Sequence, residues 1–122
     1  MALTIGWETA VNLHEHDRSN VTNMPGPEFK RNVTQLLQQP QTHQFGTETG
    51  EAARLRFETA VSQTINLHQN ERLGFVTHGT VIALFLAAHN QLDSVAFWQA
   101  LPMPAALVVS TKSYQLMEQI VL

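Results

Sequence analysis

An imidazole that ends an apolar run and directly precedes a helix is placed to handle an anion, and His78 stands in such a place. Residues 72–77 read Arg-Leu-Gly-Phe-Val-Thr, a short run in which Leu73, Phe75 and Val76 are apolar. Gly79 gives the backbone freedom to turn, and Thr80 suits the cap of the helix behind it. A helix N-terminus gathers unpaired N–H groups and positive potential, so this junction is where a phosphate would sit. The plainer alternative for a Thr-His-Gly triplet is a satisfied histidine in a tight turn.

A second cluster lies early in the chain, where residues 13–18 read Leu-His-Glu-His-Asp-Arg. On an extended backbone His14 and His16 point to one side and Glu15 to the other. Paired histidines with nearby carboxylates can ligate a metal, although this spacing is no signature and no third ligand follows from it. Glu15 can instead act as a general acid, since a carboxyl group in a cleft can carry a proton to a leaving oxygen. Arg18 can pair with a substrate anion or join a surface ion pair.

Composition bounds what these clusters can belong to. The chain has 122 residues, enough for one domain spanning residues 1–122, with 43% hydrophobic and 14% charged content typical of a folded globular protein. Seven basic against ten acidic residues give a formal charge of -3, so no basic face for nucleic acid is expected. Without cysteine there is no thiolate nucleophile, zinc–thiolate site or disulfide framework. The longest apolar run, residues 81–88, is too short to span a bilayer, and no signal core follows the N-terminus. The expectation is a cytoplasmic protein without a membrane or cofactor.

The elements that must position the two clusters alternate in type. Residues 3–11 read as extended, and residues 13–23 as polar and irregular. Phe29, Val33, Leu36 and Leu37 share one face of a helix over residues 28–38, with Pro27 in its first turn and Pro40 as its stop. Thr49 can cap a long helix over residues 50–68, whose Ala53, Phe57, Ala60, Val61 and Ile65 repeat at helical spacing. The strand expected at residues 72–77 feeds a buried helix. Asp93 can cap residues 94–101, and residues 105–110 and 114–122 look like a hairpin. Strands separated by helices imply an α/β sandwich.

Taken in order, Leu-His-Glu-His-Asp-Arg, the Gly-Thr-Glu-Thr-Gly-Glu run at 46–51, Phe-Val-Thr-His-Gly at 75–79 and the Asp93 to Trp98 helix resemble the histidine phosphatase superfamily, the phosphoglycerate-mutase-like proteins. The resemblance runs over residues 3–122 and covers the C-terminal portion of that fold. It implies a three-layer α/β/α sandwich, N-terminally truncated, that acts on phosphomonoesters. It also implies that Glu15 donates the proton to the leaving group and that His78 stabilises the transferring phosphoryl group, with Gly79 and Arg18 beside it. His43, His68 and His89 match no catalytic position, and the last two suit helix C-termini.

The departure from that family is as informative as the match. Its nucleophile is a histidine in an Arg-His-Gly motif, followed by an arginine in a Ser-x-x-x-Arg-Ala segment, and neither motif occurs in these 122 residues. Glu15 and His78 supply an acid and a stabiliser, not the attack. The central strand would also lack its two neighbours, and bare edges drive association. Two classes follow: a phosphomonoester hydrolase or mutase, incomplete or inactive as an isolated chain, or a non-catalytic anion-binding or assembly module of the same fold. The partners expected are a phosphorylated small molecule or phosphate, together with a completing subunit or a second copy of the chain.

Overall fold

Proline and threonine set the first two helices. In the computed structural model, which describes residues 9–121, helix α1 spans Gly26–Gln38 with a proline in its first turn, where the missing N–H costs no intrahelical bond. It begins two residues before the sequence expectation. Val33, Leu36 and Leu37 are buried. Helix α2, Gly50–Leu67, is capped by Thr49, whose hydroxyl accepts the Ala52 N–H at 3.0 Å. Its Ala53, Phe57, Ala60 and Val61 face the interior.

Helix α3, Gly79–His89, is apolar nearly all round and packs against the other three helices. On one side it meets a cluster of Val33, Leu36, Leu37, Phe45 and Ala53, contributed through Ala83 and Leu84. On the other, Val81, Phe85 and Leu86 join Phe57 and Val61 under Phe75, Leu107, Val109 and Leu116. Helix α4, Ser94–Ala100, is capped by Asp93, which accepts the Ala96 N–H at 3.0 Å.

Strands β1, Ala105–Val109, and β2, Leu116–Val121, form the expected antiparallel hairpin, with Ala106 opposite Ile120 and an irregularity at Val108/Val109. Asn90 fastens it to the end of α3. Its amide donates to Leu86 O and Tyr114 O and accepts the Leu116 N–H, holding Tyr114 in a positive-φ turn conformation. The chain is therefore a mixed α/β protein of four helices and a small sheet among the described residues.

Two expected elements differ. Residues 72–77 are not part of a ladder: their backbone groups make no hydrogen bond among the described residues. The segment is nonetheless strand-like, with Leu73, Phe75 and Thr77 half-buried while Gly74, Val76 and His78 are exposed. A strand is defined by a neighbour, and the described residues provide none. Of the extended segment expected at residues 3–11, residues 3–8 lie outside the described residues, and Thr9, Ala10 and Val11 form no strand. No helix among the described residues is long and apolar enough to cross a membrane.

Candidate functional site

Thr80 was expected to cap α3, but the cap comes from 65 residues away. The N-cap residue is His78, without a side-chain cap bond. The Glu15 carboxylate instead accepts the N–H of Thr80 at 3.0 Å and of Val81 at 2.8 Å, and also the N–H of His16 at 3.0 Å. An acidic group on the first turn answers both the unpaired donors and the positive end of the helix dipole. The Thr80 hydroxyl is freed for another use and accepts from Arg18 Nη2 at 3.2 Å.

Arg18 corrects a second expectation, because it forms no ion pair in the described structure. Its guanidinium lies between the rings of Phe29 and Phe45, 5.1 and 5.3 Å from their centroids, and its Nε donates to His16 O at 3.3 Å. Burial pushes this guanidinium below its ordinary value while the Glu15 charge pulls it back up. The guanidinium is thus a half-buried positive charge at the first turn of α3, with no carboxylate ion pair among the described residues.

His78 and Gly79 lie at the same helix end. The His78 ring is exposed and makes no hydrogen bond among the described residues, while its carbonyl accepts the Ile82 N–H. Gly79 is buried, and a Cβ added there would lie 2.7 Å from Met103 Cε, with Leu101 and Trp98 behind. Met103 Cε is the far end of a flexible, exposed side chain, so a methyl group at residue 79 would be accommodated by a small shift of that side chain. The four residues singled out from the sequence, Glu15, Arg18, His78 and Gly79, are thus gathered at one end of α3.

The loop that delivers Glu15 is irregular yet heavily bonded. His16 is buried to 1% exposure, packs on Phe45 and donates from Nε2 to Glu48 O at 2.7 Å, leaving Nδ1 without a partner. Burial is the largest influence on it and pulls its pKa below 6.5. Asp17 is held at about 2 by the Ser19 N–H and then by the Ser19 and Thr47 hydroxyls. Gly46 adopts φ +81°, and a Cβ there would fall 2.3 Å from Asp17 O. Thr47 N–H closes the loop contact on that same oxygen at 2.8 Å.

The two histidines of the early cluster do not face one side as an extended backbone would place them. His14 is exposed and His16 is buried, because the segment is not extended, and no group of three candidate ligands exists among the described residues. His43 Nε2 donates to Gly46 O, His68 ends α2 near Glu71, and His89 at the end of α3 meets Glu58 at 2.5 Å. Sequence reasoning missed Glu48 and Arg56. Arg56 donates to three carbonyls of the Glu15 loop and to Glu48, contacts that join residues 8 to 44 positions apart and leave no local pattern.

A Val-Thr-His-Gly segment enters an apolar helix, and a glutamate from an upstream Leu-x-Glu segment sits on that helix's first turn, as the resemblance to phosphatase- and mutase-like proteins implies. The chain belongs to the histidine phosphatase superfamily (branch 1), whose family model matches residues 2–116. Neither curated proteins nor solved structures give a match.

Proposed function

We propose that the chain carries the proton donor and the charge clamp of a phosphomonoester hydrolase or mutase. Glu15 protonates the leaving oxygen, while His78, Gly79 and Arg18 bind the phosphoryl group. The observation that carries this reading is the Glu15 carboxylate on the Thr80 and Val81 N–H groups, directly after His78-Gly79. Those N–H groups are donors that a phosphoryl oxygen uses equally well. A phosphomonoester arriving as the monoanion displaces the carboxylate from them and passes its own proton to Glu15, and the resulting carboxyl group returns that proton to the leaving oxygen as the ester bond breaks. Arg18 meanwhile supplies charge that needs no reorganisation.

The attacking imidazole comes from outside these residues. His16 is buried and holds Glu48 O, and His14 is exposed ahead of Glu15, so neither takes the place of an Arg-His-Gly histidine. In this reading, residues 72–77 are the central strand of a three-layer sandwich, and the Arg-His-Gly region supplies the neighbouring strands. The isolated chain then binds phosphate without turning over phosphomonoesters. Calorimetric titration with inorganic phosphate tests the clamp: binding should weaken by about tenfold or more in Arg18→Ala and in His78→Ala. Unchanged binding in both variants contradicts it.

A second reading, a non-catalytic assembly module, is favoured by one observation. Residues 72–77 present a backbone without partners among the described residues and an 83%-exposed Val76. Light scattering on the isolated chain is the relevant measurement. A monomer at micromolar concentration with a single cooperative melt argues against association through that edge.

A further inference from the structure

Residues 12–18 form neither helix nor strand, yet they deliver a carboxylate to two adjacent N–H groups of α3. The grip on this loop comes from α2. Arg56 Nη1 donates to Asn12 O and His14 O, each at 2.9 Å, and Nη2 donates to Glu15 O at 3.2 Å. The same guanidinium holds Glu48, with Nη2 at 2.6 Å from Oε1 and Nε at 3.3 Å from Oε2. Glu48 Oε1 accepts the Asp17 N–H at 2.9 Å. The loop is therefore held on both sides of Glu15, by carbonyls up to residue 15 and by the N–H of residue 17.

Both side chains are mostly shielded from water, at 15% and 17% exposure. Burial works against the Glu48 charge, but the Arg56 and Asp17 donors outweigh it and hold the carboxylate below its usual range. Arg56 serves four acceptor groups at once, which a planar fork of five N–H donors can do and a point-like ammonium cannot.

We infer that Arg56 and Glu48 are positioning residues for Glu15. They fix the backbone from which the carboxylate reaches Thr80 and Val81, and they touch neither substrate nor reacting atoms. The functional meaning of the inference rests on the proposed role of Glu15. Its geometric content stands apart from that role.

The test is a pH titration of the 15N-labelled chain, read at individual amide protons. In the wild type, the Thr80 and Val81 amides should follow the ionisation of Glu15 in one shared step that disappears in Glu15→Gln. In Arg56→Lys and Glu48→Gln that step should also be lost. The Ala96 amide, which reports the Asp93 cap of α4, should titrate as in the wild type and so verifies that the variants are folded. Arg56→Ala is left aside because removing the whole side chain risks unfolding. A full wild-type step at Thr80 and Val81 in both variants overturns the inference. Adding inorganic phosphate to the wild type reads the other claim: no shift at Gly79, Thr80 and Val81 refutes the phosphoryl site, while the titration still decides the role of Arg56 and Glu48.

Discussion

Residues 12–18 and residues 72–77 approach the same end of α3 and are built in opposite ways. The first has no regular structure, and its backbone is held by Arg56, Glu48 and Thr47. The second alternates like a strand and has no backbone partner among the described residues. They touch at one point, where the Thr77 hydroxyl donates to Leu13 O at 2.6 Å. The difference teaches that order here follows from satisfied hydrogen-bonding groups, not from regularity. The Glu15 side of the helix end is held by hydrogen bonds within this chain, whereas the segment that leads into His78 has no backbone partner among the described residues.

The largest effect should separate two glycines, one packed against the first region and one within the second. At Gly46 a valine would be forced into φ +81° with its Cβ against Asp17 O and His16, so Gly46→Val should cost about 3 kcal/mol in urea unfolding. Gly74 has no atom within 4 Å of an added Cβ, and Gly74→Ala should change stability by less than about 0.5 kcal/mol. Equal losses at both sites would erase the contrast.

Next in size is the cap. Glu15→Ala removes the acceptor on the first turn of α3 and should cost about 1–2 kcal/mol, at least as much as Thr49→Ala on α2. A neutral outcome would mean that the Thr80 and Val81 donors are satisfied by water.

Acid should weaken the braced loop before it touches the bare one. Burial holds the His16 pKa below 6.5, so the unfolded chain takes up this proton first as the pH falls. His16 therefore contributes its full share of stability above 6.5 and loses it as the pH drops from there. Glu48, also lowered, adds a second loss below 4.5. Unfolding free energies measured by tryptophan fluorescence across this range should decline with falling pH. The upper part of that decline should be absent in His16→Phe.

The smallest effect on stability belongs to Val76→Lys. The side chain is exposed, so the change should stay within about 0.5 kcal/mol while suppressing any concentration-dependent association seen by light scattering.

Much of this molecule was legible before any coordinates. Helices α1, α2 and α4 announce themselves through Pro27, Thr49 and Asp93, because caps and periodicity are local signals. The hairpin was equally plain. The candidate site was legible only as residue types. That Glu15, Arg18, His78 and Gly79 meet at one helix end required the chain to fold, and the cap that seemed to belong to Thr80 comes from Glu15. Glu48 stood in the Gly-Thr-Glu-Thr-Gly-Glu run, but its pairing with Arg56 and their hold on the Glu15 loop were not legible, since partners of Arg56 lie up to 44 residues away. The strand expected at residues 72–77 shows the converse limit, in which an alternating local pattern finds no ladder partner among the described residues.

The claim that ties these regions together is that the proton donor and the charge clamp reside here while the nucleophile does not. Hydrolysis of an aryl phosphate by the isolated, folded chain measures it most directly. The account predicts release no faster than in buffer, with no difference between the wild type and His78→Ala. Turnover by the isolated chain that His78→Ala abolishes would contradict it.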